Sequence, residues 1–484
     1  MTPQALQSEH VEAGRVPLPV LLFLLGLVFP VFFPAGPLAM NTYRLVLLVL
    51  FVPMLINLVT GRAGRILIAD IMIIAHAFWM LVVIAYHHGS AVIQFGGSNV
   101  VELLGAYLIA RVYVRDLPTF YAVMRWLAMS VILSLPFAIA EAITGTPPIL
   151  QLINRLPYFY GTPILRPEPR LGLERVQFTQ ANAIHYGIYC SIILSFAVML
   201  WGQIRPGGMM RKLARGGAMC LGTFLSLSSA PLLSMAMQIG FMGWDRVLAT
   251  LKARWKLFLL MCALAYLGIA LLSSRPVINV LMTYLTFNPT NAWWRVAAFE
   301  WGSKAVMENP VFGIGLREDW ERPAWMHSPS VDNHWLGVAM RYGLVGFLML
   351  AWSVVGMIFA VARAKFEEDE LLNRARRCWF FAMWGFIFAL ATVFMWGMAH
   401  SLVFFFLALG SWFVEAKPQT GPGAVATPSA QPTSARGART ALALARATPS
   451  LPYTRTRTDP ARAASEDRQY TRARGPDRPS HTRS

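Results

Sequence analysis

Two groups of residues in this chain have the types and spacing that chemistry needs, and both lie in long polar connections between apolar runs. The first is a set of arginines: Arg155, Arg166, Arg170 and Arg175 in one connection, and Arg275, Arg295, Arg317 and Arg322 in another. A guanidinium is permanently charged and donates in a planar fork, so several of them at a membrane surface form a natural clamp for a diphosphate. A lipid-headgroup anchor or a structural ion pair explains any single one equally well. The second group is the run Trp325-Met326-His327-Ser328-Pro329-Ser330-Val331-Asp332-Asn333-His334-Trp335-Leu336, in which a carboxylate and a histidine stand two residues apart at the end of an apolar segment. Such a pair can supply a general base whose charge is set by its neighbour.

The elements that must position these residues are apolar. Of 484 residues, 56% are hydrophobic and only 14% are charged, a balance that leaves a soluble surface without polar cover. The apolar residues come in runs that extend to about 20 residues, enough to cross a bilayer core. Twelve such segments are expected, at 17–35, 42–60, 67–86, 92–112, 120–143, 181–201, 214–229, 231–249, 257–274, 335–361, 378–396 and 399–415. The fold class is therefore an all-α integral membrane protein, with a short N-terminus (1–16), a polytopic domain (17–415) and a basic tail (416–484). Met1–Val16 shows no cleavage pattern, so the first segment is expected to remain as an anchor. Cys190, Cys220, Cys262 and Cys378 all fall inside expected spans and read as small apolar fillers.

Charge orients the chain. The connections Gly61–Arg65, Arg111–Arg115, Arg205–Arg215, Arg246–Lys256 and Arg363–Arg377 alternate along it and are rich in Lys and Arg, which marks them as cytoplasmic. An even number of spans then puts both termini inside, and the two long connections, 144–180 and 273–334, outside. Long loops of this kind are uncommon unless they carry function. Within the second, Asn291–Glu308 has Trp294, Ala298, Trp301 and Ala305 at helical spacing, an interfacial helix that Asn291 can cap and Asn309-Pro310 ends.

The formal charge of +18 does not point to nucleic acid. The residues beyond Ala416 hold 12 Lys/Arg against 4 Asp/Glu, and no aromatic platform accompanies them. This Pro/Ala/Thr/Ser/Arg tail has too few apolar residues to order itself, and anionic lipid is its natural contact. Phosphate-binding Gly-rich loops, Cys-pair zinc spacing and a Gly-x-Ser-x-Gly elbow are all missing from the sequence. Glu367-Glu368-Asp369-Glu370 sits among Arg and Lys and reads as a solvated helix face. The Ala35–Tyr43 connection has no carboxylate, which argues against a metal-holding acidic pair there.

Several stretches together carry a family resemblance. Trp293-Trp294-Arg295 through Asn309-Pro310-Val311-Phe312-Gly313-Ile314-Gly315, then Asp332-Asn333-His334-Trp335-Leu336 and Arg341-Tyr342-Gly343-Leu344-Val345-Gly346, resemble the signature region of the O-antigen ligase-related and polysaccharide polymerase superfamily. Arg175-Val176-Gln177-Phe178 and Leu227-Ser228-Ser229-Ala230-Pro231 are similar to two earlier segments of that family. The resemblance implies a helical, metal-independent, cofactor-free membrane glycosyltransferase of the bacterial inner membrane. It would take glycan from an undecaprenyl diphosphate donor at the periplasmic face and pass it to lipid A–core, in a ligase, or to the next repeat unit, in a polymerase. Carried onto this chain, it makes Arg175 and Arg295 the diphosphate ligands. Many members have His directly before the motif Asn, where this chain has Asp332, so either Asp332 is the base or His334 is the base with Asp332 orienting it. A polysaccharide flippase or other transporter is the alternative. It calls for polar groups at mid-bilayer and internal repeats, whereas the spans offer chiefly His76, Gln94, Glu102 and Gln238.

Overall fold

The computed structural model describes residues 14–35, 38–201, 208–274, 277, 279–280, 289–326, 329–366 and 369–417. The readings of the tail beyond Lys417, of Arg275 and of Glu367-Glu368 fall outside them. The described chain is mostly helical, and seven helices are long and apolar enough to cross a membrane. These are Thr42–Val59, Ile68–His88, Val92–Tyr113, Leu117–Thr144, Arg254–Leu272, His334–Arg363 and Gly397–Val414. Each coincides with an expected span. Polar caps set their starts: Asn41, Asp116 and Asn333 accept, through their side-chain oxygens, the N–H of Arg44, Thr119 and Leu336.

Of the other expected spans, 214–229, 231–249 and 378–396 fall largely in the helices Met209–Leu225, Ser229–Val247 and Glu370–Thr392, while 17–35 and 181–201 are shorter or broken. The first ends as a helix at Val28 and gives way to an antiparallel hairpin, Phe32–Ala35 with Leu38–Asn41. Pro30 and Pro34 account for this, because each lacks an N–H and disfavours helix in the residue before it. The segment 181–201 divides into Ala183–Ser191 and Leu194–Met199. The corner between the expected spans 214–229 and 231–249 lies between Leu225 and Ser229, and Pro231 sits in the first turn of the Ser229–Val247 helix, where its missing N–H costs nothing. The expected span 92–112 is a continuous helix with two π-helical stretches, Val92–Gly96 and Val101–Gly105. Glu102 in it is buried and accepts from Tyr43 Oη at 2.5 Å and Arg44 Nε at 2.7 Å, so its charge is paired.

The Pro289–Glu308 helix starts two residues before the expected Asn291. Its small face turns inward: Ala297, Ala298 and Ala305 are buried against Leu336 and Met340 of the His334–Arg363 helix, with Trp294 and Trp301 partly covered beside them. The segment after it docks backbone to backbone. Ile314 N–H donates to Met340 O at 2.8 Å, Gly315 N–H to Arg341 O at 3.0 Å, and Leu344 N–H to Pro310 O at 2.7 Å. These bonds need a gap in the helix. It is made at Gly343, whose φ of 70° and ψ of 178° belong to a region open essentially to glycine alone. A Cβ there would stand 2.0 Å from Val311 O. Gly343→Ala is therefore expected to cost about 3 kcal/mol or more. The check is a steep loss of monodisperse protein on size-exclusion of detergent extracts, and an unaltered elution profile would contradict this account of the break.

Candidate active site

A cavity of about 380 Å³ opens where both long connections meet the helix ends. Arg170, Arg175, Ser228, Trp294, Arg295, Ser330 and Asp332 are among its lining residues. Two stretches far apart in sequence thus supply one arginine cluster, and the corner at Ser228 joins them.

Arg175 is held from both sides. Glu174 N–H donates to Ala142 O at 3.0 Å and Val176 N–H to Leu225 O at 3.1 Å. Beyond them Gln177 and Phe178 N–H donate to the two carboxylate oxygens of Glu141 at 2.8 and 3.0 Å. Arg175 Nη2 then donates to Ser228 Oγ at 2.8 Å, while its buried Nε has no hydrogen-bond partner among the described residues. Arg170 Nη1 donates to Leu227 O at 2.9 Å. Leu171, Phe178 and Leu227 all have positive φ, between 45° and 55°, which non-glycine residues rarely adopt. Such strain persists only where surrounding contacts impose it, and here it borders the cavity.

The electrostatics is that of a site short of negative charge. Burial lowers the Arg175 guanidinium to about 10, with Arg170 adding repulsion. Burial also lowers Arg295; Asp332 opposes the shift and Arg170 adds to it. Asp332 is moved the other way, raised by burial and pulled back by Arg295 and a hydrogen bond from Ser330. Three guanidiniums therefore face one carboxylate in a partly dehydrated space, and an anion with several oxygens would relieve them.

Arg175, Arg295 and Asp332 all line this cavity, whereas His334 does not. His334 is 2% exposed in the first turn of its helix, its ring centroid 5.2 Å from that of Phe394 and 5.4 Å from that of His400. Its Nδ1 has no partner among the described residues. Of the other loop arginines, Arg155 and Arg166 are exposed. Arg322 bonds the Glu318 and Met326 carbonyls. The contribution of Arg170 as a third guanidinium was not singled out from sequence. Its spacing from Arg175 in an irregular segment gives no sign that both turn inward.

Residues 217–351 match the O-antigen ligase family. The match runs from the Met209–Leu225 helix into the His334–Arg363 helix, and so includes Ser228, Arg295, Asp332, His334 and the Gly343 break but not Arg175. The O-antigen ligase-related resemblance read from the sequence is thereby shown, and at family level the segment is that of a glycan-transferring membrane enzyme. No curated protein matches the chain.

Proposed function

We propose that the chain is a glycosyltransferase that takes glycan from an undecaprenyl diphosphate donor at the periplasmic face of the inner membrane, in O-antigen or exopolysaccharide assembly. The observation that carries this reading is the convergence of Arg170, Arg175 and Arg295 on one cavity with a single carboxylate, Asp332. Diphosphate is already a good leaving group, so transfer requires stabilisation of its developing charge and removal of one proton. The arginines meet the first need. Asp332, whose carboxyl is raised by desolvation against the pull of Arg295 and Ser330, meets the second. The acceptor hydroxyl gives its proton to Asp332, its oxygen bonds to the anomeric carbon, and the pair of the breaking C–O bond passes to the diphosphate. Arg175 and Arg295 are the diphosphate ligands in this scheme. His334, buried against Phe394 and His400 and outside the cavity lining, is the less favoured base.

Twelve crossings, with connections 144–180 and 273–334 outside, are part of the same proposal. Reporter fusions after Arg170 and Arg317 are expected to read as periplasmic, and those after Arg211, Glu368 and Arg439 as cytoplasmic. Cytoplasmic signals from both long connections would overturn it. Within the class a polymerase is slightly favoured over a ligase. A deletion strain is then expected to leave unpolymerised short chains, whereas full-length polymer retained on the carrier would indicate a ligase.

A further inference from the structure

A second cavity, about 330 Å³, lies next to the first and shares Ser330 with it. Between the two runs the irregular segment Ser330–Asp332, with Asp332 lining the first space and Val331 the second. The chemistry of the second is different. Arg317, Glu318, Trp320, Arg341, Phe394 and Trp396 are among its lining residues. One carboxylate is thus set among two guanidiniums and several aromatic rings, in place of three guanidiniums around a void.

Those walls are held in place. Arg317 Nε donates to Ile314 O at 3.2 Å. Leu316 N–H donates to His88 Nε2 at 2.8 Å, tying the loop to the end of the Ile68–His88 helix. Arg341 lies over the Phe394 ring at 4.6 Å. Trp396 is 49% exposed and packs edge-to-face on His185, with ring centroids 4.6 Å apart, so it offers a supported indole. A carboxylate acceptor, guanidinium donors and an exposed indole are what a ring bearing adjacent hydroxyls needs: two polar partners at its edge and an apolar surface for its C–H face. A polyanion finds no comparable fit, because Glu318 opposes it. The volume falls at the lower end of the range of small-ligand sites, about 300 to 1,000 Å³.

We infer that this second cavity is a saccharide subsite holding the acceptor glycan, whose attacking hydroxyl reaches Asp332 across the Ser330–Asp332 partition. The inference rests on the glycosyltransferase reading for the word acceptor, but not for saccharide binding itself.

The test uses the full chain in lipid nanodiscs and two probes: inorganic diphosphate, and a carrier-free oligosaccharide cut from the producing strain's own polymer. Binding of each is titrated to the parent protein, Glu318→Gln, Trp396→Leu and Arg175→Lys. Loss of one charged hydrogen bond or of the indole is expected to weaken the oligosaccharide about tenfold or more in Glu318→Gln and Trp396→Leu, with diphosphate binding unchanged. Arg175→Lys is expected to show the reverse. Glu318 is exposed, so its variant stays informative should Trp396→Leu misfold. Failure of the parent protein to bind the oligosaccharide, or equal binding by both second-cavity variants, would overturn the subsite. Selective loss of the oligosaccharide from a protein that binds no diphosphate would support the subsite and refute the donor site instead.

Discussion

Substituting lysine for Arg295 or Arg175 is expected to lower glycan transfer about a hundredfold or more while the protein remains inserted at parental levels. Lysine keeps the formal charge but loses the planar fork, so it can meet only one diphosphate oxygen at a time. It is also less secure as a cation. The burial that lowers Arg175 to about 10 would push an ammonium down from a lower starting value. Arg155→Lys is the internal control, because Arg155 is exposed and does not line the cavity. The readout is the glycan ladder of complemented deletion strains at matched expression. Parental ladders from both cavity variants would remove the arginines from the mechanism.

The second large effect is at Asp332. Asp332→Asn preserves size and one acceptor oxygen but cannot take a proton, and a loss of about 10² to 10⁴ in transfer is expected. The pH profile adds a sign. Burial raises the Asp332 carboxyl above its ordinary 3.8, and the base works only when deprotonated. Activity should therefore be full above the shifted value and fall as pH drops through it, on an acidic limb lying above the ordinary aspartate value. Weakening the opposing pull by Arg295→Gln is expected to move this limb further up. A limb that keeps its position and amplitude in Asp332→Asn would assign the base elsewhere, with His334 the first candidate. His334→Ala in the same series separates the cases, since loss of a buried side chain lowers the rate without abolishing the limb.

The apolar runs made most of the helices legible, because a segment of about 20 apolar residues has few alternatives to a buried helix. What escaped were the places where backbone leaves helical geometry. Pro30 and Pro34 are visible in the sequence, yet the first run is apolar enough to hide the hairpin they create. The break at Gly343 depends on the segment Pro310–Gly315 supplying hydrogen bonds from elsewhere in the chain, a pairing that no local pattern encodes. The cavity was legible in its members and not in its assembly. Arg175 and Arg295 stood out by residue type at segment ends, but their meeting depends on Glu141 and Leu225 pinning the strained stretch around Arg175. The second cavity was not legible at all. Phe394 and Trp396 fall at the end of an apolar run, and only the irregular segment between the helices Glu370–Thr392 and Gly397–Ala408 brings them to line one cavity with Arg317 and Glu318.

The central claim, that the arginine-lined cavity performs transfer from a lipid diphosphate, is tested most directly by product analysis on purified protein. Protein in nanodiscs would be supplied with the undecaprenyl diphosphate-linked repeat unit extracted from the deletion strain, and both free undecaprenyl diphosphate and lengthened glycan would be followed by mass spectrometry. The account predicts that the parent protein forms one undecaprenyl diphosphate for each glycosidic bond made, and that Asp332→Asn and the Arg175→Lys, Arg295→Lys double variant form both more slowly, by about a hundredfold or more. Donor left intact by the parent protein, or release that Asp332→Asn and the double variant leave undiminished, would contradict it.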